Sequence, residues 1–291
     1  MAGHVLVGAD GSESSLEAVA VAAHEARRRG LGVRIVNAFT WPMLKVRHGS
    51  TSESTAEPAL RRRAEAVVAE AVEVARTEGP DLGSVQGEVV TGEALTVLAA
   101  RSRDADLVVV GSRGLGAFSG LLIGSVAVHL AAHADCPVLV VRGRPGPEGP
   151  VAVAVDGSDA AKAAVEEAFD DAACRGTGLL AVHVWNTWSG TGPAGPGGPA
   201  PLWFDTDKLR EDSEATLSGA LAAGRGRHPD VEVEGRSVHG RVRQSLIETS
   251  REASLLVVGA RGRGGFHGLL LGSVSQAMLH HADCPVLVMR R

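Results

Sequence analysis

Short runs of consecutive apolar residues alternate along this chain with longer segments whose apolar positions return every three or four residues. "HVLVGA" near the start, "ADLVVVG" from Ala105 and "CPVLVVR" from Cys136 are too short for buried helices and read as strands covered on both faces. "VRIVNAF" from Val33 and "SVQGEVV" from Ser84 supply two further strands. Between them, Leu16, Val19, Ala20 and Ala23 mark the buried side of one helix, and Leu60, Ala64, Val67, Ala71 and Val74 that of another. "EALTVLAARS" and "SVAVHLAAH" predict two more, and Ser14 with Glu17 predicts a capping box at the start of the first. Strands separated by amphipathic helices predict a parallel sheet with a helix on each crossover.

The pattern then repeats. "VLVGADGSESSLEAV" from Val5 returns as "VAVAVDGSDAAKAAV" from Val151, and "ADCPVLVVR" from Ala134 returns as "ADCPVLVMR" from Ala282. The boundary falls in "GRPGPEGP", whose Pro and Gly content suits an extended linker. The predicted domains are therefore residues 1–143 and 151–291, joined by 144–150. The predicted fold class is α/β, as two tandem, doubly wound, five-stranded parallel sheets with helices on both faces. Ligands of such sheets sit beyond the carboxyl ends of the strands, where the strand order reverses. Asp10, Asn37, Gly92 and Gly111 all stand at predicted strand ends.

Composition narrows the function classes. Aromatics are only 3% with no Tyr, which leaves little for base stacking, and a net charge of −5 leaves no basic footprint for a polyanion. Nucleic acid is not an expected partner. No apolar run approaches the roughly 20 residues of a membrane span, and "MAGHVLVGADGS" runs into a strand without a signal-peptide pattern, so a cytoplasmic protein without a membrane partner is expected. Three cysteines without a CxxC spacing read as reduced thiols. His129 and His133 have the i, i+4 spacing of a helical metal pair, but the second copy has Ala277 and His281 there, so no metal site is predicted.

The chemistry concentrates in one loop. "GSRGLGAFSGLLIGS" has the spacing G-x2-G-x9-G-S, with Gly111, Gly114, Gly124 and Ser125, and recurs 148 positions later as Gly259, Gly262, Gly272 and Ser273. Glycines let backbone amides approach a ligand, and the serine opens a helix whose N-terminus favours an anion. Arg113 and Arg261 inside the loop add positive charge. Neither a Walker A lysine nor the tight G-x-G-x-x-G turn is present. A turn followed by an ordinary serine cap is the competing account of the same residues. Asp10 and Asp156 open "DGS" sequences, in which the carboxylate serves either a ligand or the turn itself.

This loop, the aspartate after the first strand and the closing "CPVLVVR" strand together resemble the universal stress protein family, and they do so in order in both halves. The resemblance implies that Asp10, Gly111, Gly114, Gly124 and Ser125 bind ATP in the first copy. In the second it implies Asp156, Gly259, Gly262, Gly272 and Ser273. It also implies Ala38, Val90, Val184 and Val238 as the border of the adenine. ATP, with Mg2+ as its candidate companion, is the implied cofactor. The implied role is a nucleotide-dependent sensor or regulator in stress tolerance. The implied assembly is an intramolecular pairing of the two last strands, with further association into a homodimer.

Two rival functions use the same residues. One is a slow ATPase or phosphotransfer enzyme, for which no nucleophile, base and orienting acid recur in both halves. The other is a protein-interaction module that holds no ligand. The polar stretches 40–58 and 186–203 follow the second strand of each copy and are candidate lids.

Overall fold

A computed structural model describes residues 3–39, 53–116, 123–144, 148–186, 205–263 and 270–290, with 53–57 by backbone alone. Both candidate lids lie largely, and the tips of both glycine loops wholly, outside the described residues. Contacts divide the chain into two compact units, one of Met1–Pro145 with Leu279–Arg290 and one of Gly146–Met278.

The first unit runs β1 (His4–Gly8), α1 (Glu13–Arg29), β2 (Gly32–Phe39), α2 (Glu53–Glu78), β3 (Val85–Thr91), α3 (Ala94–Arg101), β4 (Leu107–Gly111), α4 (Ser125–His133) and β5 (Val138–Val141). Its strands lie side by side as β3-β2-β1-β4-β5, all parallel. The order reverses between β1 and β4. Right-handed crossovers therefore place α1 and α2 on one face and α3 and α4 on the other, and α1 packs on α2 as α3 does on α4. Val5, Leu6, Val7, Val108 and Val109 are wholly buried, as their unbroken apolar runs require of strands covered on both sides.

The second unit repeats this plan with β6 (Val151–Ala154), α5 (Asp159–Arg175), β7 (Leu179–Trp185), α6 (Thr206–Arg227), β8 (Val233–His239), α7 (Val242–Thr249), β9 (Leu255–Gly259) and α8 (Ser273–His281). Its strands are parallel in the order β9-β6-β7-β8. The last strand, β10 (Val286–Met289), counts by its contacts with the first unit, where it lies antiparallel to β5 with Leu287 opposite Leu139. "VLVV" and "VLVM" are buried throughout, and a bare apolar edge at β5 would invite pairing with other chains.

Two local expectations change. The first helix is capped by Ser12, whose hydroxyl accepts the Ser15 amide, and not by Ser14 with Glu17. Gly11, at φ +85°, turns the chain two residues earlier than the box requires, and the Asp10 carboxylate holds Ser12 through its amide and hydroxyl. Ser158 caps α5 in the same way. In α2 the helix begins at Glu53 rather than after Pro58, which stands inside it. Its buried stripe is Ala64, Val68, Ala71 and Ala75, with Val67 and Val74 half-buried at its edge. Among the described residues no helix is long and apolar enough to cross a membrane.

Candidate functional site

In each unit a cavity opens where the strand order reverses. The first encloses about 370 Å3 and the second about 720 Å3. Most of the wall of the first comes from Gly8, Ala9 and Asp10 at the end of β1, Val36 and Ala38 on β2, and the glycine loop after β4 with the first turn of α4 that follows it. Of the residues singled out from sequence, Asp10, Ala38, Gly111, Arg113, Gly114, Gly124 and Ser125 meet in this wall. Asp156, Val184, Gly259, Arg261, Gly262, Gly272 and Ser273 meet in the second. Val90 and Val238 are in neither wall. They stand one strand further out, paired with Ala38 and Val184 across β2 and β3 and across β7 and β8.

The loop glycines have different jobs. A Cβ on Gly111 would stand 2.5 Å from the Ser14 carbonyl oxygen, and one on Gly259 would stand 2.9 Å from Ala160, so the end of the fourth strand of each repeat touches the first turn of the helix after the first strand. A Cβ on Gly114 would run into Asp10 Oδ2, and one on Gly262 into Asp156 Oδ2. These four glycines are demanded by close packing. Gly124 is not: the nearest atom to a Cβ there, the Ser112 carbonyl oxygen, is at 3.5 Å, an ordinary contact. Its amide donates to that same oxygen at 2.7 Å, which docks the start of α4 on the end of β4. Gly272 donates likewise to Ala260 at 2.7 Å, with slightly less room at 3.3 Å.

Gly124 is also the N-cap of α4, and among the described residues no side chain caps the helix. Ser125 is the first helical residue, not the cap, so its hydroxyl is not committed to the cap role. The first amides of a helix have no partners within it. Here Ser125, Val126 and Ala127 line the cavity, so the positive end of α4 faces that space.

Asp10 holds the loop in place. Oδ1 accepts from the Ser12 amide at 3.0 Å and its hydroxyl at 2.6 Å, and Oδ2 accepts from the Leu115 amide at 2.8 Å. Burial works against its charge, but these bonds, with one from Ser15, outweigh it and hold the carboxyl below its usual range. Asp156 makes the matching bonds to the Ser158 amide at 2.9 Å and the Arg263 amide at 3.1 Å.

Sequence reasoning missed the remaining wall. Ala94 and Leu98 of α3 close the first cavity on its apolar side, and Val242 and Leu246 of α7 close the second. The signal was the apolar face of those helices, which reads equally well as ordinary core. It also passed over Arg263, which stands in the second cavity wall. His183, at the place of Asn37, bonds Ser213 at 2.7 Å, and Ser213 in turn meets Ser237 at 2.7 Å. Burial lowers the affinity of His183 for a proton; Asp156 opposes this and Arg263 adds to it. The histidines 129 and 133 stack on each other along α4 at 4.0 Å.

The model of the universal stress protein family matches this chain twice, over residues 1–142 and 149–290. Universal stress protein Rv1996 of Mycobacterium tuberculosis is 36% identical over 98% of this chain and 94% of its own length. Universal stress protein Rv2005c of the same organism is 37% identical over 99% and 97%. The crystal structure of a universal stress protein from Archaeoglobus fulgidus DSM 4304 shares the fold, with a TM-score of 0.69 at 20% identity over 99% of this chain and 96% of that one. With the same aspartate-latched glycine loop built once in each unit and the family's pattern running through both halves, this chain belongs to the universal stress protein family as a tandem member.

Proposed function

We propose that each unit holds one adenine nucleotide, ATP foremost, and that the protein acts as a cytoplasmic nucleotide-dependent sensor or regulator in stress tolerance, not as a high-turnover enzyme. The observation that carries this reading is the start of α4. A helix N-terminus without a side-chain cap faces a cavity at the reversal of strand order, behind a glycine that packing does not demand. Backbone amides of this kind hold phosphate oxygens without a lysine. Arg113 and Arg261 add charge at the same end. The apolar walls given by Val36, Ala38 and Leu98, and by Val182, Val184 and Leu246, suit the faces of a base.

The residues present fit the nucleotide better than a protein-held metal. Among the described residues each cavity offers one carboxylate, and that of Asp10 already accepts from three donors. Mg2+ would therefore arrive with the nucleotide and be held by its phosphates and water. The same donors occupy the one group that a hydrolytic reading would use as a base. The antiparallel seam of β5 and β10 supports a pairing of the two last strands within one chain; the homodimer rests on the family resemblance alone.

Calorimetric titration of nucleotide-stripped protein with ATP, with and without Mg2+, tests the reading against a Gly124→Asp, Gly272→Asp double variant. Binding by the parent that the folded variant loses is the expected result. A parent that binds no adenine nucleotide overturns it and leaves the loops to serve the fold alone.

A further inference from the structure

The two cavities differ at one equivalent position. The Leu115 amide bonds Asp10 in the first unit, and the Arg263 amide makes the same bond to Asp156 in the second, so residues 115 and 263 occupy the same place on the loop. Leu115 is 65% exposed and outside the cavity wall, whereas Arg263 is part of the wall. Its guanidinium lies over the turn after β6: a Cβ on Gly157 would stand 3.5 Å from it. Among the described residues, the charged groups lining the first cavity are Asp10 and Arg113, which balance. Those around the second are Asp156, Arg261 and Arg263, with one positive charge to spare beside the half-buried His183. The second cavity is also about twice the volume of the first.

We infer that the two sites select differently charged nucleotides, with Arg263 making the second prefer a triphosphate over a monophosphate more strongly than the first does. This rests on the nucleotide reading given above. A triphosphate carries more negative charge than a monophosphate, and a surplus positive charge in the cavity wall acts on that difference through space. The Arg263 guanidinium supplies that charge from the wall, is permanently charged and can offer two donors to phosphate oxygens. The first site has an uncharged leucine at the equivalent position, so extra phosphates gain little from it.

Each site is isolated by closing the other. Gly124→Asp leaves the second site and Gly272→Asp leaves the first, and the affinities of ATP and AMP for each folded variant give one preference ratio per site. The ratio at the second site is expected to exceed that at the first by about fivefold at low salt, a gap that screening narrows at high salt. Adding Arg263→Leu to the Gly124→Asp chain brings its ratio down to that of the first site. Adding Leu115→Arg to the Gly272→Asp chain raises that ratio. Equal ratios at the two sites, or a second-site ratio unmoved by Arg263→Leu, overturn the inference while leaving nucleotide binding intact. Parent binding that one Gly→Asp change removes entirely overturns it as well. A parent that binds neither nucleotide overturns the underlying reading and this inference together.

Discussion

The Asp10 carboxylate accepts the Leu115 amide at 2.8 Å across 105 residues of chain, and so ties the turn after β1 to the loop after β4. Asp156 and Arg263 repeat the tie in the second unit. Because Gly114 lies against the same carboxylate oxygen, the aspartate and the glycine are two halves of one fitted contact.

Asp10→Asn should weaken this contact by about 1–2 kcal/mol, the scale of hydrogen bonds to a charged group. The pH dependence follows from the lowered acidity range of Asp10. A carboxyl held below its unfolded value contributes stability in full above that value, about 3.9, and loses it as pH falls through the folded one. Urea unfolding of parent and variant should therefore show a gap at neutral pH that closes in acid. A gap independent of pH would mean that charge is not what the contact uses.

The glycines of the motif should separate by experiment. Gly111→Ala forces a methyl against the Ser14 backbone and should cost about 1–3 kcal/mol, in the range of overpacked sites. Gly124→Ala meets only ordinary contacts, so its cost is confined to the poorer N-cap that alanine makes, about 0.5–1 kcal/mol. Thermal melts of the two variants decide the matter, and similar losses in both would contradict the division.

Gly124→Asp should raise stability while removing ligand binding. Aspartate is a favoured N-cap, and its charge suits the helix dipole, together worth about 0.5–1 kcal/mol at this uncapped start. On the proposed nucleotide reading, the same carboxylate would take the place of a phosphate. A higher melting temperature with no ATP heat signal is the expected pair of results, whereas a lower melting temperature would point to a damaged loop.

His183 should make the second unit sensitive to mild acid. Its affinity for protons is lowered in the fold, chiefly by burial. As pH falls through the unfolded value near 6.5, the unfolded chain therefore takes up a proton that the folded one refuses, and stability declines. His183→Asn installs the residue that the first unit has at Asn37, which donates to the Ala9 carbonyl at 2.7 Å. Melting temperatures from about pH 7.5 to 5 should fall less in the variant than in the parent. Parallel curves would remove His183 from the account.

Much of this molecule was legible in its residues. Unbroken runs such as "VLV" and "LVVV" can be satisfied only by strands covered on both faces, and the three- and four-residue spacings between them can only be helices. Repetition of the loop and of the aspartate marked the same site twice, and the walls of both cavities contain most of the residues so marked. The cap of α1 was misplaced by two residues because a capping box is a local pattern, and here a carboxylate and a positive-φ glycine pulled the turn forward. Val90 and Val238 stand outside the walls because β3 and β8 lie one strand beyond β2 and β7, an order across the sheet that spacing along the chain does not reveal.

The sequence by itself therefore determined the order of elements, their duplication and the chemical character of the loop, since each depends on neighbours close along the chain. Tertiary structure alone decided which glycines are demanded by packing and which one leaves space, that α3 and α7 complete the walls, and that Arg263 faces the cavity while Leu115 does not. Those outcomes depend on contacts between segments about a hundred residues apart, where excluded volume and charge act through space and leave no periodic trace in the chain.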